Sequence, residues 1–146
     1  MQKFVISLFV IILLFFNIPA QKVAFDFDGT YTFYTKSQPA DDMQMTKCGS
    51  LYFVSCDTQN AKQVMTQLKG VVGQSVRFCG DQQLFNNVVK SFGKANCYQV
   101  QNLVVAEGYC QWIDGCVTLK NKKINFQIAF DGEYIVVGTP TILSGF

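Results

Sequence analysis

The chain has 146 residues, of which 49% are apolar and 14% aromatic, and its formal net charge is +2. This composition predicts one compact domain with a hydrophobic core and excludes a disordered, low-complexity chain. The chain contains no histidine, which excludes Ser-His-Asp and Cys-His nucleophilic sites and histidine metal triads. The small net charge gives no electrostatic support for nucleic-acid binding.

The N-terminus has the pattern of a secretory signal peptide. Lys3 supplies a basic start, Phe4–Phe16 is an apolar run, and Ala20 is a small residue that a signal peptidase accepts. The run of about 13 residues is shorter than the roughly 20 that cross a bilayer, so an uncleaved anchor is the less favoured alternative. We expect a signal peptide over residues 1–20, a single secreted globular domain over residues 21–146, and no stable membrane insertion.

The stretch KVAFDFDGTYTFY, residues 22–34, resembles the DxDGT signature of haloacid dehalogenase-like phosphatases. The resemblance implies Asp26 as nucleophile and Asp28 as acid-base partner, with magnesium between them at the end of a parallel strand. However, the alternating residues from Thr30 onward predict a second strand instead of a loop and helix. We therefore predict a hairpin over Asp26–Thr30 in which Gly29 takes the left-handed conformation and neither aspartate is catalytic.

Two amphipathic helices are predicted in the middle of the chain. The polar stretch from Thr35 to Ser50 is typical of a surface loop, and LYFVSC after it is typical of a buried strand. Asp57 or Thr58 can cap a first helix ending at Gly70, and Asp81 can cap a second helix ending at Gly93. A short strand, SVRFC, lies between them.

From Cys97 onward the apolar pattern changes to the alternation of strands. Asp114-Gly115 and Asp131-Gly132 are hairpin signals, and Lys120–Lys123 predicts a basic turn between them. These turns divide Tyr98–Val137 into a meander of roughly four antiparallel strands. The predicted fold class is α+β: a mainly antiparallel β-sheet, formed by an N-terminal hairpin and a C-terminal meander, with two helices packed on it and disulfide stabilisation.

The cysteine content predicts that disulfide stabilisation. An even number of cysteines in a short secreted chain is typical of up to three bridges, and their pairing is left open because six cysteines allow 15 connectivities. No metal site is expected, since C-x-x-C spacing and histidine are both absent. We expect Trp112 to pack on a disulfide in the core. The disulfide candidates are Cys48, Cys56, Cys79, Cys97, Cys110 and Cys116.

The segment QNLVVAEGYCQW, residues 101–112, resembles the inhibitory hairpin of cystatins. Gln101, Val104 and Gly108 carry the likeness, which implies inhibition of papain-like proteases. A plain core strand with a break at Glu107-Gly108 explains the same residues.

The layout of the whole chain resembles small, uncharacterised secreted proteins of social amoebae, which implies an extracellular location and no established activity. The sequence thus favours a secreted, non-catalytic binding protein without cofactor or metal. Its expected partner is an extracellular protein or glycan, not nucleic acid. The alternatives are a cystatin-like inhibitor and a DxDGT-type phosphatase.

Overall fold

The fold is α+β, with two helices on a mostly antiparallel sheet, in a computed structural model that describes residues 22–143. The predicted signal peptide lies outside the described residues. The helices are α1 Thr58–Gln67 and α2 Gln82–Phe92. The strands are β1 Thr30–Thr35, β2 Met45–Cys48, β3 Leu51–Asp57, β4 Val71–Cys79, β5 Ala95–Val100, β6 Leu103–Gly108, β7 Val117–Leu119, β8 Lys122–Ile124, β9 Phe126–Phe130 and β10 Tyr134–Thr139.

Eight of these strands form one sheet in the order β2-β3-β1-β4-β10-β9-β6-β5, and every neighbouring pair is antiparallel. Strands β5, β6, β9 and β10 lie side by side, but β7 and β8 lie between β6 and β9 in the chain and form a separate two-stranded sheet, so the predicted meander of consecutive strands is only partly right. Strand β2 lies within the stretch predicted as a loop. The strands β2 and β5 are the two edges of the sheet.

Both helices begin where their capping residues predict. The Asp57 carboxylate accepts from the amide of Asn60 at 3.0 Å, and the Asp81 carboxylate accepts from the amide of Leu84 at 2.8 Å. Each cap satisfies one of the amides that a first helical turn leaves without a partner. Gly93 ends α2 with a φ of 103°, a conformation that side chains with a Cβ resist.

The main core lies between the helices and one face of the sheet. Helix α1 covers β3 and β1, and α2 covers β9. The apolar stripes predicted for the two helices supply part of this core, which also takes aromatic and β-branched side chains from the strands beneath. Its most buried members include Phe33, Val76, Ala106, Phe126, Ile128, Ile135 and Val137.

The predicted N-terminal hairpin is wrong. Residues 23–27 form no strand, and β1 pairs with β3 and β4 instead. The segment 22–27 lies over the helix-side face of β4, because the Gln74 side chain accepts from the Ala24 amide at 2.9 Å and donates to the Lys22 carbonyl at 2.8 Å. Phe25 contacts Phe92 of α2 with ring centroids 6.1 Å apart. The first described segment is therefore part of the core layer.

The opposite face of the sheet carries a small hairpin, β7–β8. Its turn is formed by Lys120 and Asn121, with φ of 48° and 64°, so the predicted basic turn is confirmed. Val117 and Ile124 of this hairpin pack in a second apolar cluster that also includes Tyr34, Leu51, Val72 and Leu143. The predicted Asp114-Gly115 hairpin turn is wrong, because these residues lie in an irregular loop before β7.

Over residues 22–143, neither helix is long and apolar enough to cross a membrane.

Candidate functional site

The DxDGT-like stretch forms a structural corner between the segment 22–27 and β1. The Thr58 hydroxyl donates to the Asp28 carboxylate at 2.8 Å and accepts from the Gly29 amide at 2.8 Å. Thr58 is the first residue of α1, so these contacts tie the corner to the start of the helix. Asp26 and Asp28 precede β1, whereas the phosphatase arrangement requires them to follow a parallel strand. Among the described residues, no three Cys, Asp or Glu side chains cluster closely enough to hold a metal ion.

Gly29 is required at this corner by a close approach. A Cβ at this position would overlap the carbonyl oxygen of Arg77 on β4 and lie 3.1 Å from the Cβ of Phe78. Its φ is not in the left-handed region, so the prediction of a left-handed turn glycine is wrong. Because no side chain occupies this position, β1 pairs directly with β4. The predicted hairpin did not include this pairing.

The Tyr31 hydroxyl forms hydrogen bonds with the backbone of the corner from its buried side. It donates toward the carbonyls of Phe27 at 2.8 Å and Phe25 at 3.1 Å, and it lies 3.2 Å from the Phe27 amide. Burial raises the pKa of Tyr31, so the phenol is a neutral hydrogen-bonding group at physiological pH. The phenol fixes a buried backbone that has no strand partner. These contacts account for the DxDGT-like residues by packing and hydrogen bonding.

The predicted disulfide stabilisation is not supported, because all six cysteines are free thiols in the structure. Cys48 and Cys97 lie on opposite edge strands, seven strand spacings of about 4.8 Å apart. Cys56 faces the helix layer, while Cys79 lies opposite Tyr134 on another strand. The count of cysteines indicated bridges, but a bridge requires Cα atoms within about 7 Å, and the strand order and register separate Cys48, Cys56, Cys79 and Cys97.

The structure separates the cystatin-like residues. Gln101 lies in the two-residue turn between β5 and β6, with a φ of 55°. Gly108 lies at the other end of β6, where a Cβ would come within 2.6 Å of the Lys94 carbonyl oxygen and 2.9 Å of the Phe126 ring. Gln101 and Gly108 therefore do not share one loop.

A polar network fixes β5 to its neighbours on the face of the sheet away from the helices. The Tyr98 hydroxyl donates to the Glu107 carboxylate at 2.9 Å, and the Gln127 side-chain amide lies 3.3 Å from the same carboxylate. Burial, together with Glu107, raises the pKa of Tyr98 to about 12, so the phenol stays protonated. The arrangement joins β5, β6 and β9 by side chains.

An open recess of about 460 Å³ lies between α1 and residues 42–44. Cys56 lines it, and burial raises the pKa of this thiol to about 11, which makes it a poor nucleophile at neutral pH. The Asp57 carboxylate, also in the lining, is already bonded to Asn60. The recess offers polar hydrogen-bonding groups, and no pair of its side chains is arranged for catalysis. Its other polar lining residues are Asp42, Gln44, Ser55, Gln63 and Gln67.

Residues 109–116, which we name the aromatic loop, are fixed by one buried side chain. Asn125 is 0% exposed, and its amide oxygen accepts from the Cys110 amide at 2.7 Å. Its amide nitrogen donates to the carbonyls of Cys110 at 2.8 Å and Ile113 at 2.9 Å. Cys110 and Ile113 are themselves buried, so the loop has an internal anchor.

Between those anchored residues, the aromatic loop presents two aromatic rings to solvent. Tyr109 is 50% exposed and Trp112 is 55% exposed, which are the largest exposed fractions among the large apolar side chains of the described residues. The Trp112 ring contacts Phe92 at the end of α2, with centroids 5.0 Å apart and planes tilted by 45°. The prediction that Trp112 packs on a core disulfide is therefore wrong. A half-exposed tryptophan on a backbone anchored by hydrogen bonds can contact a partner at a reduced ordering cost.

The sequence contained only an indirect signal for this site. Tyr109, Trp112 and the alternating strand around Asn125 were visible, but alternation does not distinguish an asparagine in solvent from one sealed beneath a loop. A buried asparagine that bonds three backbone groups is recognised only when the loop and strand are seen together.

Comparison with known proteins identifies no relative: no family model matches the chain, and no curated protein and no solved structure matches it significantly.

Proposed function

We propose that the protein is a secreted, non-catalytic binding module that contacts an extracellular protein through the aromatic loop. The observation that carries the proposal is the half exposure of Tyr109 and Trp112 on a backbone anchored by Asn125. Tryptophan and tyrosine are the residues most often found at the energetic centres of protein interfaces. A preorganised loop binds without a large ordering cost, which favours affinity.

The proposed extracellular location is supported by the signal-peptide pattern that ends at Ala20 and by the resemblance to secreted proteins of social amoebae. The choice of binding over catalysis is supported by the contacts of the candidate catalytic groups. Asp28 is bonded to Thr58, and the phenols of Tyr31 and Tyr98 are bonded to neighbouring residues with their pKa values raised.

The test uses residues 21–146 as bait in the extracellular medium and on the surface of the producing cells. Captured proteins are identified by mass spectrometry and their affinities are measured by calorimetry with purified partner. Trp112→Ala is expected to weaken binding by about thirtyfold or more, as for an interface hot spot. Leu84→Ala is the matched control, because Leu84 is a 39% exposed apolar side chain on α2.

Equal affinity of the wild type and Trp112→Ala would show that the aromatic loop is not the contact surface. Capture that is lost after enzymatic deglycosylation of the medium, but still depends on Trp112, would assign the loop to a glycan and overturn the protein partner. Denaturant unfolding of both variants is measured alongside to show that each is folded during the binding assay, because Trp112 is 55% and Leu84 39% exposed and each truncation also removes some packing.

A further inference from the structure

The two edges of the main sheet are protected to different degrees. Strand β2 has 4 residues and carries Lys47, whose ammonium lies 5.7 Å from the ring centroid of Tyr52. Strand β5 has 6 residues, ANCYQV, and carries no charged side chain. Short length and lysine are common devices against pairing with another chain, and β5 has neither.

Strand β5 also has unpaired backbone groups along its outer side. All six of its residues pair with β6, from Ala95 opposite Gly108 to Val100 opposite Leu103. In an antiparallel ladder closed by a two-residue turn, alternate residues starting from the closing pair bond inward. Asn96, Tyr98 and Val100 therefore bond to β6, and the amides and carbonyls of Ala95, Cys97 and Gln99 point outward. Within residues 22–143, no further backbone hydrogen bond reaches this side of β5.

We propose that a second copy of this chain pairs with β5, antiparallel and strand to strand, about a twofold axis at Cys97. In this register Cys97 lies opposite Cys97 of the second copy, and Ala95 lies opposite Gln99 of the second copy. Every outward residue then meets another outward residue, which forms a continuous sheet of both copies. The inference is independent of the proposed function, because β5 is not part of the aromatic loop.

A second copy fits this edge because the strand is compatible with itself. No like charges face each other along β5, since its side chains are neutral. In the same register Val100, which is 43% exposed, lies opposite Lys94 of the second copy and can pack on its aliphatic stem. The two Lys94 ammonium groups lie at opposite ends of the paired strands. Side chains on β5 that are exposed in one copy thus become partly covered in the pair.

The first experiment measures the dimer dissociation constant by sedimentation equilibrium. Gln99→Pro removes one outward amide per copy and leaves the bonds to β6, since proline is tolerated where an edge amide faces solvent. Two lost hydrogen bonds at the axis-related positions predict a dissociation constant raised by about thirtyfold or more. Gln99→Ala, which keeps the amide, and Lys47→Pro on the other edge are expected to behave as the wild type.

A second variant covers the case in which Gln99→Pro does not fold. Cys97→Lys places two ammonium groups opposite each other at the axis and is expected to give a monomer, while Cys97 is exposed and tolerates the change in one copy. A wild-type protein that is monomeric at all concentrations would overturn the proposal. Equal dissociation constants for the wild type and Cys97→Lys would overturn it as well.

The second experiment reads the register by oxidation with glutathione disulfide. Cα atoms of an opposed, hydrogen-bonded pair are about 5.5 Å apart, within the range of about 4.4–6.8 Å that disulfides span. Two Cys97 thiols lose their protons and form one S–S bond, and one glutathione disulfide is reduced to two glutathione thiols. The expected product is a covalent dimer linked through Cys97, absent in Cys97→Ser. Cross-linking through exposed Cys79 at the same rate would overturn the register.

Discussion

Two segments that contain Asp-Gly differ in what they do with their aromatic residues. The corner at residues 25–31 turns Phe25 inward, where it is 7% exposed, and the aromatic loop turns Trp112 outward, where it is 55% exposed. Both backbones are held by a buried polar side chain, the phenol of Tyr31 in the corner and the amide of Asn125 beneath the loop. The two segments are thus anchored in the same way, but only the aromatic loop exposes an aromatic ring to this extent.

A backbone held by a buried polar side chain can therefore serve either the core or a contact surface. The corner resembled a catalytic signature, yet its contacts all serve packing. Trp112 was predicted to pack on a disulfide in the core, yet the aromatic loop carries two exposed rings on an anchored backbone. Whether an aromatic ring points into the core or into solvent depends on the strands beneath it. This direction distinguishes a structural segment from a contact surface more clearly than the residue type does.

The largest expected effect comes from removing the anchor of the aromatic loop. Asn125→Leu leaves the Cys110 amide and the carbonyls of Cys110 and Ile113 buried without partners. We expect the free energy of unfolding to fall by about 3–5 kcal/mol, measured by urea denaturation. The control Asn87→Leu alters an exposed asparagine on α2 and should change stability by less than about 0.5 kcal/mol.

If Asn125→Leu were as stable as the wild type, the loop would be held by packing alone. A second readout follows the Trp112 fluorescence anisotropy, which should decrease in Asn125→Leu because the indole gains freedom.

An intermediate effect is expected at the corner, from Gly29→Ala. The added methyl group overlaps the Arg77 carbonyl oxygen on β4, so β1 must move away from its neighbour. We expect a loss of about 2–3 kcal/mol in the free energy of unfolding. Gly132→Ala is the matched control, because nothing lies within 4 Å of its Cβ position and only the φ of 101° opposes the substitution.

For the control we expect a smaller loss of about 1 kcal/mol. A Gly29→Ala protein less affected than Gly132→Ala would mean that the corner relaxes at little cost, and the close contact with β4 would then not define it.

The smallest expected effect on stability comes from the turn at Asp131-Gly132. Of the three Asp-Gly pairs in the chain, this is the one that forms a tight hairpin turn, and it joins β9 to β10. The Asp131 carboxylate accepts from the amides of Tyr134 at 2.7 Å and Glu133 at 2.9 Å. The hydrogen bond from Tyr134 is the main cause that lowers the pKa of Asp131, with a contribution from the charge of Arg77. Because the pKa is lower in the folded state, the carboxylate stabilises the fold above its unfolded pKa of about 3.9.

This stabilisation is lost as the pH falls through the folded pKa. Chemical denaturation from pH 6 to pH 2 should therefore give a smaller acid-induced loss for Asp131→Asn than for the wild type. Since Asp131 is exposed, the difference should also shrink in high salt. Identical pH profiles for the two proteins would contradict the assignment.

The sequence predicted the local elements whose signals are contained in a few residues. Asp57 and Asp81 predicted both helix starts, because a capping side chain acts on amides two or three residues away. LYFVSC predicted β3, and Asp131-Gly132 predicted the turn before β10. The α+β class followed from these elements, since two apolar helix stripes require a sheet face to cover.

The predictions of strand pairing and of disulfides failed because they depended on distant partners, whereas the Asp114-Gly115 turn and the left-handed conformation of Gly29 were wrong locally. Strand β1 pairs with β3 and β4 instead of the preceding segment, because Gly29 and Gln74 meet groups about 50 residues away in sequence. The cysteine spacing gave no information on the strand order and register that separate Cys48, Cys56, Cys79 and Cys97. The sequence predicted only part of the candidate site. It singled out Trp112, but the loop is anchored by hydrogen bonds from Asn125, which lies outside the loop, and this contact has no signal in the sequence.

The hydrogen bonds between the Gln74 side chain and the segment 22–27 have a consequence for the order of folding. This segment is synthesised before its hydrogen-bonding partner, which follows 50 residues later, and before its ring contact on α2, which follows later still. It must therefore remain unpaired while β1, β2 and β3 are synthesised, and its burial is a long-range closure of the kind that slows folding. A chaperone would meet Phe25 and Phe27 exposed during that interval, whereas in the folded protein Phe25 is buried and Phe27 is half-buried.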